Sequence, residues 1–403
     1  MAAADNTEAS DPGLRHATLA VYGAFFGAGF IFSSWASRIP QVRDALHLSP
    51  ASLGLLLLAI AAGSVIALPL AGVVVARLGA ARTITVTALL AAGGLAITAV
   101  GVRLGVVPVV IGLFLLGAGN GTWDVAMNME GAFVEQRLRR AIMPRFHAGF
   151  SIGTVTGAML GAGMVLVGVS VTVHLLLVAG VIACAMPWAV RWFLTVTSLA
   201  DRDEHSTGNP LAAWKEPRTL ALGFLVFCVA FIEGSGNDWL GVAVIDGHDA
   251  SPAVGSLTLG IFLAAMTTGR WFGPALLDRF GRVPAVRASG LLACVGLLIV
   301  AYGGSLALAI AGAVLWGFGS ALGFPVGMSA AADDKLHAAG RLSVVTSIGY
   351  TAFLAGPPFI GLLGNHVGTL HSLVAVAGLA SIAVLMSGLL APRPAASVEA
   401  ANG

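Results

Sequence analysis

Charge is scarce in this sequence. Asp, Glu, Lys and Arg together make up 10% of its 403 residues, against about 25% in an average soluble domain. A soluble chain of this length needs more polar surface than that to cover its core. A soluble enzyme, a nucleic-acid binder and a disordered protein are therefore excluded. The net charge is only +2, so no global field recruits an acidic partner. Cysteine is limited to Cys184, Cys228 and Cys294, far apart and each within an apolar run. That spacing gives no CxxC, no disulfide framework and no metal site. A basic leader is lacking too. The first sixteen residues carry Asp5, Glu8 and Asp11 and no small-residue cleavage site, so the first apolar run is expected to remain as a membrane span. No GxxxxGK[ST] phosphate loop, HExxH or Ser/His/Asp set is present, so neither catalysis nor ATP use is expected, and no cofactor or metal.

What is abundant is apolar surface and glycine: 57% hydrophobic residues and 53 Gly. This composition predicts an all-α membrane protein. A bilayer-crossing helix takes about 20 mostly apolar residues. Twelve such runs are read, near 17–37, 51–75, 83–101, 106–133, 144–168, 170–194, 219–243, 253–275, 285–303, 305–330, 342–364 and 370–390. Two hairpins, Gly168–Ser170 and Gly303–Ser305, have almost no polar residue between spans. Ten spans with two re-entrant segments is therefore the competing count. With the N-terminus inside, only Arg38, Arg43 and Arg103 fall outside, and Arg270 lies within a span. Every other Lys and Arg is on the inner side, so both termini are expected in the cytoplasm. The reading divides the chain into a tail at 1–16, a six-helix half at 17–196, a linker at 197–218, a second half at 219–390 and a tail at 391–403.

The two halves resemble each other. Trp35 and Trp239, Arg77-Leu-Gly79 and Arg279-Phe-Gly281, Gly117-Ala-Gly119 and Gly317-Phe-Gly319, and Ser151-Ile-Gly153 and Ser347-Ile-Gly349 recur in the same order. Each pair is separated by close to half the chain. Two homologous halves place a substrate site at their interface near the bilayer midplane.

Charged and polar residues inside spans mark where that site lies, because each is costly there. Asn120, Asp124 and Asn128 are four apart and line one face of the fourth span, bordered by Trp123 and Met127. A stripe this deep faces a cavity or other helices. Low dielectric disfavours a charged carboxylate, so Asp124 can take a proton from one side and release it on the other. The alternative is a structural hydrogen bond. Glu130 and Glu135 are read as structural partners of Arg137, Arg139 or Arg145. In the seventh span Glu233 and Asn237 share a face, and glycines loosen the helix around them. Glu233 is a second proton-site candidate, again against a structural reading. Asp238 and Trp239 are placed nearer the outer face, with Trp239 in an aromatic belt. His147 opens the fifth span beside this cluster and is either a switchable or a plain interfacial histidine. Arg270 either snorkels to the surface or pairs with a buried acid. Gly149, Gly153, Gly157 and Gly161 form a packing face, and Gly356-Pro-Pro a kink.

These motifs resemble the major facilitator superfamily. Its signature between spans two and three, Gly-x-x-x-Asp-Arg-x-Gly-Arg, appears here as Gly72, Ala76, Arg77, Gly79 and then Arg82. The second-half copy is Pro274, Asp278, Arg279, Gly281 and Arg282. The family fold is expected, with two pseudo-symmetric six-helix halves. These two loops would act as cytoplasmic gates, tight Gly turns presenting basic residues to the facing half. The strip from Gly117 to Gly153 is similar to the fucose–proton symporter branch. Asp124 falls on that branch's proton-coupling Glu, Asn128 on its Asn, and His147 on a sugar-contacting Gln. Ile39-Pro40-Gln41 also matches, while Ala36 stands where the branch has an Asp. The patterns Ser37-Arg38-Ile39-Pro40 and Trp123-Asp124-Val125-Ala126-Met127-Asn128 look like those of a subgroup of bacterial inner-membrane permeases. The resemblance implies a monomeric, proton-coupled secondary transporter of a small, sugar-like solute, with Asp124 and Glu233 for protons. Asn120, Trp123, Asn128, His147 and Asn237 would line the cavity. Its partners would be the solute, protons and the lipid bilayer, with no nucleic acid. Efflux by proton antiport stays open, although no Pro stands between Pro144 and Pro187 to match the Gly-Pro element of such antiporters. A ligand-sensing transceptor is the alternative of another class.

Overall fold

The computed structural model describes residues 12–139, 142–194, 210–334 and 337–391. The expected tails up to residue 11 and from 392 on, residues 197–209 of the expected linker, and Arg140, Arg202, Lys335 and Arg393 lie outside the described residues.

The first six spans are built from α1 (Pro12–Ala36), α2 (Ile39–Ala45), α3 (Pro50–Leu78), α4 (Ala80–Gly101), α5 (Val106–Leu138), α6 (Met143–Leu166) and α7 (Val171–Ala189). The last six are α8 (Pro217–His248), α9 (Pro252–Phe280), α10 (Arg282–Tyr302), α11 (Leu306–Ser320), α12 (Gly323–Ala331), α13 (Ala338–Val367) and α14 (Thr369–Met386). Among the described residues there are 12 stretches long and apolar enough to cross a membrane, with α1–α2 and α11–α12 each making one. The ten-span alternative is thereby removed. Both tight hairpins are real turns, and a serine makes them possible. Ser170 Oγ accepts from the Val173 N–H and Ser305 Oγ from the Leu308 N–H, each at 3.3 Å. A cap satisfies the first orphan donors of the next helix, so no polar loop is needed.

Several helices overrun the hydropathy signal. The seventh span runs on to His248, and the first continues past a break at Ser37–Arg38 as α2. Their extensions are held by polar side chains that carry no apolar periodicity. Arg38, expected in an outer loop, is 1% exposed. Its Nε donates to His174 Nδ1 at 2.9 Å and its Nη2 to the Val169 carbonyl at 3.1 Å. Meanwhile Leu55, Ile66, Leu70, Leu104, Leu166 and Leu385 lie open on the outside, the surface a lipid-solvated bundle presents.

The internal repeat has a packing cause. A Cβ on Gly117 would strike the Ile60 carbonyl of α3, and one on Gly317 the Phe262 carbonyl of α9. Gly119 and Gly319 meet the backbones of α4 and α10 in the same way. Each Gly-x-Gly thus lets one helix touch the two preceding spans of its own set. The four-spaced glycines of α6 lie against α1 as expected: Gly153 faces the Phe26 carbonyl and Gly157 the Phe30 carbonyl. Across the two sets, α3 packs on α13 and α6 on α9. The Gly356-Pro-Pro segment belongs to that seam, since a Cβ on Gly54 would meet the Pro357 carbonyl.

Candidate functional site

The polar stripe of α5 lies on the half-buried side of the helix. Asn128 Nδ2 donates to the Asp124 carbonyl at 2.9 Å and to Asp124 Oδ1 at 3.3 Å. No cation pairs with Asp124 among the described residues. The Tyr350 hydroxyl of α13 is within its electrostatic reach from the other set of helices. Asn120, one turn along, leaves its Oδ1 without a hydrogen-bond partner among the described residues.

Arg270 resolves toward pairing. Its Nη2 donates to both oxygens of Glu233 at 2.8 Å, joining α9 to α8. Asn237 Nδ2 donates to the Glu233 carbonyl at 3.2 Å, so its amide turns back on its own helix. His147 is exposed at the start of α6, edge-on to Phe25 with ring centroids 5.1 Å apart. It lies within electrostatic reach of Arg270. The two sets are thus coupled electrostatically here, His147 with Arg270 and Tyr350 with Asp124.

Two tryptophans are placed differently from their expected roles. Trp123 is 0% exposed, with its ring edge 3.3 Å from where a Gly27 Cβ would lie and beside Met186. It packs α5 against α1 and α7 and does not line a cavity in this conformation. Trp239 is also 0% exposed, so it is not in an aromatic belt. An indole one position from a charged residue reads equally as belt or as core, and only helix rotation decides. Glu130 and Glu135 bond to backbone N–H groups where arginine partners were expected. Glu130 Oε1 accepts from the Leu194 N–H at 2.9 Å, and Glu135 Oε2 from the Ile142 and Met143 N–H groups at 2.7 Å each.

The two expected gate loops have the same shape. Gly79 (φ 77°) and Gly281 (φ 78°) each end one helix and begin the next. That positive φ favours glycine over any other residue. Gly72, Arg77, Arg82, Asp278 and Arg279 are exposed. Arg282 Nη1 holds both oxygens of Asp333, at 2.7 and 2.9 Å, and its Nη2 donates to Ser329 Oγ at 3.0 Å. Both partners belong to its own set of six. At this same end Glu216 accepts from Arg341 Nε at 2.6 Å, and that bond foremost holds its carboxyl below the ordinary range.

Among the described residues, hydrogen bonds between the two sets lie at the opposite end. Arg43 Nη1 donates to Asp246 Oδ1 and Oδ2 at 2.7 and 2.6 Å, and Thr369 Oγ1, from the same set as Asp246, steadies that carboxylate at 2.9 Å. Ser256 Oγ donates to the Ser37 carbonyl at 2.8 Å, and the Ala51 N–H reaches Asn365 Oδ1 at 3.4 Å. This end is shut while the arginine-rich loops stand in solvent. Sequence reasoning missed this latch, since opposite charges at span ends look like ordinary loop charge. It also missed Tyr350, whose only signal is a tyrosine within an apolar run of a chain with 3. The latch predicts a labelling result. In a cysteine-free background, Ser256→Cys should react slowly with a membrane-impermeant maleimide, and at least about tenfold faster when Arg43→Ala is added, equivalent to roughly 1.4 kcal/mol. Equal rates would show that the ion pair does not hold this end shut.

Comparison with known proteins agrees with this architecture. The Major Facilitator Superfamily profile matches residues 17–333 and 226–403. An uncharacterized MFS-type transporter of Yersinia pestis is 31% identical over 345 residues, 85% of this chain and 87% of that protein. In fold, the chain is similar to the nucleoside transporter NupG, with TM-score 0.72 and 15% identity over 92% of this chain and 98% of that one. It is also similar to the Escherichia coli fucose:proton symporter FucP, with TM-score 0.61 and 16% identity over 93% of this chain and 98% of that one. Multi-pass, helical and built on this two-loop signature, the chain belongs to the major facilitator superfamily and is a secondary transporter, not an enzyme.

Proposed function

We propose that the protein is a proton symporter for a small polar, sugar-like solute in the bacterial inner membrane, with Asp124 as the proton carrier. The observation that carries this reading is the isolation of Asp124. Among the described residues its one hydrogen-bond donor is the neutral amide of Asn128, and the intramembrane guanidinium of Arg270 is committed to Glu233. A carboxylate in a membrane interior needs a counter-charge, and a mobile proton supplies one. Glu233 contributes through its ion pair, exchanging partners as the helices move. Asn120, Asn128, His147 and Asn237 offer the neutral donors and acceptors a hydroxylated solute needs. Trp123 joins them only if α5 rotates in the other state.

Positive-inside asymmetry supports placing the arginine-rich end and both termini in the cytoplasm. The latch then shuts the outer end and the conformation is open inward. In the outward-open state the two Gly turns would close, Arg77 and Arg279 meeting the facing set.

The test is solute-driven acidification of proteoliposomes carrying a trapped pH dye, with neutral sugars and polyols outside. Wild type should carry protons inward with the solute, and Asp124→Asn should lose that current by at least about a hundredfold while still exchanging labelled solute. Proton entry that is unchanged in Asp124→Asn would remove Asp124 as carrier. Proton exit driven by solute would replace symport with antiport efflux.

A further inference from the structure

Asp238 has no part in the reading above, yet it is an acid within a span that pairs with no described residue. It sits in α8, five residues beyond Glu233. Among the described residues it has neither a hydrogen-bond nor an ion-pair partner. It is not lost in packing either. Glu233, Gly234, Asn237, Asp238, Gly241 and Ile245 are the half-buried residues of this part of α8, while Trp239, Leu240, Val242, Ala243 and Val244 are fully buried. Spacings of three and four put Gly234, Asp238 and Gly241 on one side of the helix. A Cβ on Gly234 would lie 3.3 Å from the Phe353 ring of α13, and one on Gly241 3.6 Å from Pro40 Cγ of α2. Asp238 therefore sits between two positions that look across to α13 and to the first span, just inside the Arg43–Asp246 latch.

The nearby cations cannot serve it. Arg270 is held by Glu233, Arg43 by Asp246 and Asp44, and Arg38 by His174 and the Val169 carbonyl. With Asp124 balanced by its proton and Glu233 by Arg270, Asp238 is left as an acid of this region with no cation partner among the described residues, so a bound cation is what would let it carry its charge. Such a site repels carboxylates and phosphates and favours a cation. A second feature narrows the cation. Phe353 pairs with Tyr350, their ring centroids 6.0 Å apart, and both are half-buried. A carboxylate with an aromatic ring beside the position one helical turn away supplies the two groups that recognise an organic ammonium, a negative charge and a ring quadrupole. Tyr350 is also within electrostatic reach of Asp124, so the aromatic pair lies between the α8 acid and the proton site.

We propose that Asp238, together with the Phe353–Tyr350 ring pair, binds a protonated amine carried by the transported solute. This deepens the symport reading and rests on it: Asp124 takes the proton, and Asp238 takes the amine of the same polar solute. The solute then enters as a cation beside a proton, and uptake is strongly electrogenic.

The experiment measures ligand-dependent thermal stability and proteoliposome uptake with matched compounds differing in one charge. The probes are glucosamine, glucose and gluconate, with ethanolamine, ethylene glycol and glycolate as a smaller set, all at a pH where the amines are protonated. In wild type an amine should bind at least tenfold more tightly than its neutral counterpart, and the anion not at all. Asp238→Asn, which keeps the shape of the side chain, should erase that preference and leave the neutral compound unchanged. Phe353→Leu should weaken it by about threefold without touching the backbone of α8. A wild-type protein that binds no amine more tightly than its neutral partner overturns the proposal, whatever the variants do. An amine preference that persists in Asp238→Asn overturns it as well. Proton-coupled entry of a neutral solute, equal in wild type and Asp238→Asn, would sink the amine site and leave Asp124 symport standing.

Discussion

Arg270→Ala is expected to lower stability in detergent by about 3 kcal/mol, toward the bottom of the roughly 3–5 kcal/mol range for breaking a buried ion pair. The lower end applies because the two side chains are 29% and 18% exposed, so water offsets part of the loss. The physical cause is the partner left behind: Glu233 would stand among helices with no donor except solvent. Removing both charges should therefore recover most of the loss. Glu233→Gln with Arg270→Ala is expected within about 1 kcal/mol of wild type, since a neutral pair costs far less to bury than an orphaned ion. The measurement is a double-mutant cycle of melting temperatures, read as an interaction energy. Additivity of the two single variants would show that the pair contributes nothing and that Glu233 is independently stable. Transport by the stable double variant separates the roles. Retained solute accumulation would leave the pair as a strut between α8 and α9, and lost accumulation would place its partner exchange within the transport cycle.

That pair also shows where reading a sequence stops. Glu233, Arg270 and Asp124 stand out because each charge interrupts an apolar run, and such a charge is expensive enough to need a reason. Which acid Arg270 meets depends on the rotation of α8 and α9 about their axes, and hydropathy carries no information about rotation. The same limit governs Trp123 and Trp239, whose periodicity fits a lining residue and a core residue equally. The latch of Arg43 and Asp246 fails for another reason. Both residues lie at span ends, where charge is ordinary, and nothing in the chain marks them as partners until the helices are placed.

The number of spans, in contrast, is largely legible, because about 20 apolar residues are a physical length. The two hairpins without polar loops leave ten spans open as well, and the caps of Ser170 and Ser305 decide between the counts. The repeated glycine motifs were legible as a repeat but not as contacts. Offsets of half a chain say that two halves share an ancestor's packing. They do not say which atom each glycine makes room for.

Gly93 and Gly94 turn that distinction into a measurement. They are adjacent, identical and equally helical, and no sequence argument separates them. A Cβ on Gly94 would lie 2.5 Å from the Gly112 carbonyl oxygen and 2.5 Å from the Leu116 nitrogen of α5, while one on Gly93 would meet nothing within 4 Å. The obstacle at Gly94 is backbone, which cannot rotate aside, so α4 and α5 must separate along their contact. Gly94→Ala is expected to cost about 3 kcal/mol, the upper end of ordinary overpacking. Gly93→Ala should be neutral or stabilising by up to about 1 kcal/mol, because alanine loses less backbone freedom on forming a helix. The second set of helices supplies an internal replicate. Gly296 would place its Cβ 2.5 Å from the Gly112-equivalent carbonyl of Gly312 and 2.5 Å from the Trp316 nitrogen, so Gly296→Ala should reproduce the loss. Melting temperatures of the three variants decide it. Similar values for Gly93→Ala and Gly94→Ala would mean that the α4–α5 contact is looser than these distances. A loss at Gly94 without one at Gly296 would mean that the two sets of helices, alike in sequence pattern, do not share the packing that the pattern encodes.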